Sequence, residues 1–176
     1  DFLVMPCNAA HYFADDIRAA IDIELLDWPG LVAQEVAKRG AERAGVLASS
    51  GTLAVGVHQR ALAVHGIEAV LPHDEAQESV MDCIFGPDGV KAIGPHSQAA
   101  RDALLVGAAD LASRADVVIL ACTEFSALHG VLPLEAGVPV IDATEVVARR
   151  VVEMAGATLR NCEVASAEMT VPPSLG

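Results

Sequence analysis

With 176 residues, the chain is long enough for one sizeable domain or for two small lobes that share a core. Eleven Lys and Arg residues against 24 Asp and Glu residues give a formal charge of −13, which repels phosphate backbones and anionic lipid surfaces alike. The composition therefore argues against a nucleic-acid partner, and no apolar run approaches the ~20 residues that a membrane helix needs.

The predicted elements alternate between short apolar strands and helix-like stretches, which is typical of an α/β fold with a parallel sheet. We predict strands at 2–5, 23–26, 45–48, 67–71, 117–121 and 138–141. Helices are predicted at 9–21, 29–39, 53–65, 74–85 and 97–113, and a last one follows Asp142, which stands at capping-box spacing from Glu145. Residues 157–176 lose the periodicity and are predicted to form a tail.

The cysteines are spread along the chain, and none of them forms a CxxC pair: Cys7, Cys83, Cys122 and Cys162. Neither a zinc site nor a disulfide framework is predicted from this spacing. We expect reduced thiols in a cytoplasmic protein.

Two of these cysteines, Cys7 and Cys122, each follow the end of a predicted strand, and a histidine lies downstream of each, His11 and His129. Ligands of parallel sheets bind beyond the carboxyl ends of the strands, so both sulfurs are expected to face a cleft. A helix start follows each cysteine, and its dipole is predicted to bring the thiol pKa down towards neutrality. Two thiols suit a reaction that removes a proton from one face of a carbon and supplies one to the other.

The alternative for each residue is structural. A single cysteine that closes a buried strand is more often a small inert hydrophobic residue than a nucleophile, and His11 and His129 can equally be structural. The loop with Ser50 and Thr52 offers hydroxyl and N–H groups to a carboxylate, but it can also be an ordinary helix N-cap. Lys91 lies between glycines and can clamp an anion, although a lone loop lysine is usually only solvated.

Two motifs carry a resemblance to a known family. Met5-Pro6-Cys7-Asn8-Ala9-Ala10-His11 resembles the first signature of the aspartate/glutamate racemase family, and Cys122-Thr123-Glu124 resembles the second. The similarity continues in the family's order through 47–52, 89–92 and 138–145, so it covers residues 1 to about 155.

This resemblance implies a two-lobed, Rossmann- or flavodoxin-like parallel-sheet fold with one cysteine in each lobe. It implies that a homodimer interconverts the enantiomers of aspartate or glutamate without pyridoxal phosphate, metal or another cofactor. Cys7 and Cys122 would be the acid/base pair. Substrate contacts are expected from Asn8, Ala9, Ser50, Thr52, Lys91 and Thr123, and support from His11, Glu124 and His129.

The sequence departs from the family pattern at two places. Ala9 stands where the family usually carries Thr, which removes one hydroxyl donor and leaves the backbone N–H to serve. Only six residues precede Cys7, where family members have an opening strand and a glycine-rich loop. We therefore expect a fragment whose first lobe, 1–25 plus 138–156, is truncated at the N-terminus, with 26–137 as the second lobe.

Two alternatives remain open at this point. Related folds with similar cysteines racemise hydantoins, isomerise maleate or decarboxylate malonates. The second alternative is not an enzyme: the chain would be a catalytically incomplete fragment that acts at most as an anion-binding module.

Overall fold

Short strands alternate with helices along the chain. The structure is a computed structural model, and it describes residues 1–128 and 137–158. The strands are β1 (Phe2–Leu3), β2 (Glu24–Leu25), β3 (Arg43–Leu47), β4 (Glu68–Val70), β5 (Val117–Leu120) and β6 (Val140–Asp142). The helices are a 3-10 helix (Ala9–Phe13), α1 (Ala14–Ala20), α2 (Trp28–Lys38), α3 (Ser50–Val55), α4 (Val57–Val64), α5 (Asp74–Phe85), α6 (Val90–Ile93), α7 (Gln98–Ala112), α8 (Thr123–Ser126) and α9 (Ala143–Met154).

The strands form two parallel sheets, which confirms the predicted α/β class. The larger sheet has the order β4-β3-β5-β6, and β1 pairs with β2 in a separate two-stranded sheet. Leu120 of β5 is in register with both Leu47 of β3 and Asp142 of β6. The carboxyl ends of these three strands therefore meet at one edge of the larger sheet.

The larger sheet is buried on both faces, as parallel sheets usually are. Val118 and Leu120 point to a core that includes residues of α5 and α7, while Val117 and Ile119 point to the opposite core with residues of α2, α4 and α9. This alternation places helices on both sides of the strands.

The predicted helix over 53–65 is instead two helices, α3 and α4. Gly56 separates them with a left-handed backbone, at φ 66°, and its N–H closes α3 on the carbonyls of Thr52 and Leu53. Only glycine adopts this conformation at little cost, which explains the break. The predicted helix over 9–21 likewise begins as the 3-10 helix before it continues as α1.

The predicted division into lobes stays a prediction, but the strand pairing differs from it in one respect. β6 pairs with β5 and therefore lies in the larger sheet, whereas we expected its segment, 138–156, to join residues 1–25. All but the first two residues of the predicted tail, 157–176, lie outside the described residues. Within 1–128 and 137–158, no helix has both the length and the apolar character to cross a membrane.

Candidate active site

Cys122 stands where β5 gives way to α8. The N–H of Ala121 donates to the carbonyl of Leu47 at 2.7 Å, so pairing with β3 continues to the residue before the cysteine. Cys122 itself is the N-cap residue of α8, with extended backbone angles, and its side chain is half-buried. The cysteine therefore lies directly after the carboxyl end of β5, beside the end of β3.

The Cys122 thiol belongs to a short polar chain. Its S–H donates to Oε2 of Glu124 at 2.9 Å, and the hydroxyl of Thr123 donates to the same oxygen at 3.1 Å. The other oxygen of Glu124, Oε1, forms an ion pair with Nζ of Lys91 at 2.8 Å. Glu124 therefore connects the thiol to an ammonium group.

This arrangement reverses the predicted direction of the thiol pKa. Burial, followed by the hydrogen bond to Glu124 and its negative charge, raises the pKa of Cys122 to about 12. Burial opposes ionisation of Glu124 too, but hydrogen bonds from Cys122 and Lys91 hold the pKa of this carboxyl at about 2. The predicted lowering of the pKa is thus wrong for Cys122, because burial of the thiol and the carboxylate that faces its sulfur both favour the protonated form.

Cys7 lies in the turn between β1 and the 3-10 helix, and its side chain is exposed. The carbonyl of Met5 shapes this turn, because it accepts from the Cys7 N–H at 2.8 Å and contacts Nε2 of His11 at 3.2 Å. The His11 ring is buried, and its centroid lies 6.2 Å from that of the Trp28 ring. His11 therefore holds the backbone of the turn. Burial lowers the pKa of its imidazole.

Asn8, the next residue, is buried at 4% exposure. Its Oδ1 lies 2.8 Å from Nε2 of His58, a residue of α4 that is only 1% exposed. His58 was not predicted from the sequence as a site residue. A lone histidine inside a helix gives no sign of a contact with a residue fifty positions away.

Lys91 is the group that relates the two cysteines to each other. The hydrogen bond that Lys91 donates to Glu124, and then the charge of that carboxylate, raises the pKa of Lys91, and negative charge on Cys122 or Cys7 adds to the rise. Its ammonium also stands 5.4 Å from the centroid of the Phe85 ring. Both cysteines therefore lie within electrostatic reach of one cation, although they are far apart in sequence.

The loop before α3 forms an ordinary helix N-cap, which was the alternative to a carboxylate-binding loop. The Ser49 hydroxyl accepts from the N–H of Thr52 at 3.3 Å and lies 3.0 Å from the Thr52 hydroxyl. The Ser50 hydroxyl accepts from Nε2 of Gln77 at 3.1 Å. Contacts of Ser50 and Thr52 with a substrate stay predictions, as does that of Ala9, the half-buried first residue of the 3-10 helix.

Two residues singled out in the sequence, His129 and Cys162, lie outside the described residues. Among the residues that the structure describes, no cluster of three or more His, Cys, Asp or Glu side chains could hold a metal ion. A cavity of about 870 Å³ lies between α2 and α9, but neither Cys7 nor Cys122 lines it. The candidate site is therefore defined by Cys7, Cys122 and Lys91, whose side chains carry the reactive thiols and the positive charge.

Comparison with known proteins gives consistent results. A family model described as Asp/Glu/hydantoin racemase matches residues 1–151. The chain is 27% identical over 155 residues to the broad specificity amino-acid racemase RacX of Bacillus subtilis, a match that covers 86% of this chain and 63% of the relative. The aspartate racemase of Picrophilus torridus has a similar structure, with a TM-score of 0.75 and 25% identity over 91% of this chain and 64% of that one.

A Pyrococcus horikoshii aspartate racemase homologue shares the fold, with a TM-score of 0.72 and 22% identity over 88% of this chain and 66% of that one. The chain spans just under two thirds of the length of the Bacillus and Picrophilus proteins.

Proposed function

This chain belongs to the Asp/Glu/hydantoin racemase family, and on that basis we propose that its protein interconverts the enantiomers of aspartate or glutamate. Cys7 and Cys122 are the proposed acid/base pair, and no cofactor takes part. The observation that carries the proposal is the polar chain at the end of β5, in which Glu124 accepts from the Cys122 thiol at 2.9 Å and pairs with Lys91 at 2.8 Å. Two thiols near one cation suit a small anionic substrate.

The proposed reaction moves one proton in each half. The thiolate of one cysteine takes the α-proton and becomes a thiol, which leaves a carbanion on the α-carbon. The thiol of the other cysteine then gives its proton to the opposite face and becomes a thiolate. No atom is gained or lost overall, and the two cysteines exchange protonation states.

The structure suggests which cysteine starts as the acid. Cys122 has a pKa of about 12 beside Glu124 and is therefore a thiol at neutral pH, ready to donate. Cys7 is exposed and would be the base in that direction. The carbanion needs hydrogen-bond donors around its carboxylate, and Asn8 and Thr123 stand beside the two sulfurs in sequence.

The decisive experiment uses the full-length protein, meaning the complete product of its gene. Single enantiomers of aspartate and glutamate are incubated in D₂O, and both optical rotation and deuterium at the α-carbon are followed. We expect one solvent deuteron in each molecule of product, and we expect Cys7→Ser and Cys122→Ser each to abolish racemisation. Cys83→Ala is the matched control, since this cysteine is fully buried in the core. Near-normal rates in Cys122→Ser would refute the two-thiol scheme.

One observation favours a wider substrate range as a second candidate. Lys91 is already paired with Glu124, so its charge is only partly available to a side-chain carboxylate of the substrate. A panel of neutral and acidic amino acids, together with a substituted hydantoin, distinguishes the candidates. Equal rates with neutral amino acids would favour broad specificity, and turnover of the hydantoin alone would favour hydantoin racemisation.

The homodimer and the cytoplasmic location that the resemblance implies are likewise proposals. Light scattering on the purified full-length protein tests the first, and cell fractionation tests the second. An anion-binding module without catalysis is the outcome if ligands bind but no deuterium enters the α-carbon.

A further inference from the structure

A buried amide beside Cys7 has one satisfied end and one free end. Oδ1 of Asn8 is paired with Nε2 of His58 at 2.8 Å. Nδ2 of Asn8 is buried and has no hydrogen-bond partner among the residues that the structure describes. Buried donors are normally paired, so an unpaired one next to a candidate catalytic residue points to an acceptor that arrives with a ligand.

The pairing with His58 determines which end of the amide stays free. An amide oxygen can only accept, so Nε2 of His58 must carry the hydrogen of this bond. Burial, and to a smaller extent the neighbouring His11, lowers the pKa of His58 to about 4. The ring is therefore neutral near pH 7 and has a single N–H, which is committed to Asn8.

We infer that His58 is a positioning residue, which orients the Asn8 amide so that its N–H₂ group faces a carboxylate of the substrate. The inference rests on the proposed function, since it takes the ligand to be an amino acid bound beside Cys7. With the amide turned by 180°, Asn8 would present an oxygen to an anion, and binding would weaken. His58 acts only through Asn8 and needs no contact with the substrate.

Substitutions in the full-length protein test this inference. His58→Phe keeps a ring but removes the donor, so Asn8 can rotate. We expect KM to rise by about tenfold, the lower end of what a hydrogen bond to a charged group contributes. We expect kcat to change by less than about threefold, because the carboxylate is bound in both the ground state and the transition state. His58→Gln retains an N–H donor and should restore most of the affinity.

A double-mutant cycle separates positioning from a general structural effect. If His58 acts through Asn8, the variant with both His58→Phe and Asn8→Ala should have the KM of Asn8→Ala alone, within about twofold. If the increase in KM of the double variant is instead the product of the increases in the two single variants, the inference is overturned. His65→Phe, at the exposed end of the same helix, is the matched control and should leave KM unchanged.

A measurement on the unaltered protein keeps the inference testable if His58→Phe does not fold. Nitrogen-15 NMR of the histidine rings should show His58 neutral at pH 6 and protonated on Nε2. Protonation on Nδ1 would mean that the Asn8 amide points the other way, and it would overturn the inference. If the protein racemises no amino acid, the proposed function fails, while the tautomer still decides the geometry.

Discussion

Replacing Glu124 by Gln removes the negative charge next to the Cys122 sulfur and leaves a side chain of almost the same shape. The pKa of this thiol is about 12, against an ordinary value of 9.0, so at pH 8 about one thiol in ten thousand is ionised. Burial is the largest cause and remains in the variant. The hydrogen bond and the charge of Glu124 are the next causes; the variant loses the charge, and any hydrogen bond that remains is to a neutral amide oxygen.

The size of the effect follows from the hydrogen bond at 2.9 Å. A hydrogen bond to a charged group is worth about 1.5–3 kcal/mol, which corresponds to a pKa lower by about 1 to 2 and to about 10 to 100 times more thiolate. A less basic thiolate is also a weaker nucleophile, which offsets part of this gain. We therefore expect Cys122 to react with iodoacetamide about 3 to 10 times faster at pH 8 in Glu124→Gln.

The assay is alkylation followed by peptide mass spectrometry, which reports each cysteine separately. Glu75→Gln, a substitution at an exposed position in the first turn of α5, is the matched control and should leave the rate unchanged. An unchanged or slower rate at Cys122 in Glu124→Gln would refute the reasoning, because burial alone would then account for the high pKa.

Three further predictions concern stability and charge. His58 has a folded pKa of about 4 and an ordinary value of 6.5, so the unfolded chain binds its proton first as the pH falls. The free energy of unfolding should therefore drop by about 2 to 3 kcal/mol from this group between pH 7 and pH 4.5, and urea titrations of His58→Gln should lack that drop. The methyl group added in Gly107→Ala would collide with a valine methyl of α5, so we expect the free energy of unfolding to fall by about 1–3 kcal/mol. Gly51→Ala has room for the methyl group and should raise the free energy of unfolding by up to about 1 kcal/mol, and thermal unfolding of both variants measures the difference. Lys91→Met removes the cation that is paired with Glu124. Carbon-13 NMR should therefore show that the pKa of the Glu124 carboxyl rises above its present value of about 2. An unchanged pKa would contradict the role of the ion pair.

The sequence predicts most of the framework because local signals agree with one another. α5 begins and ends at the predicted residues, since Pro72 and acidic side chains precede its core pattern and Gly86 follows it. The strand before Cys122 was predicted within one residue, because a continuous run of β-branched and aliphatic residues is typical of a strand buried on both faces.

The environment of the site was less predictable, because it depends on contacts between distant residues and on side-chain direction. A helix start after Cys122 predicts a lowered thiol pKa from the backbone alone. Nothing in the backbone pattern indicates that the carboxylate two residues later turns back to the sulfur. The pairing of His58 with Asn8 joins α4 to the turn after β1, and no periodicity in either segment indicates it.

The two cysteines follow strands of different sheets, and in the described part of the chain no ladder hydrogen bonds join β1 and β2 to the other four strands. The relative position of the two sulfurs therefore depends on side-chain packing and on contacts such as that of Asn8 with His58, and not on backbone pairing between the sheets. Substitutions of the side chains packed between the two sheets are therefore expected to change the relative position of the sulfurs while each sheet keeps its own hydrogen bonds.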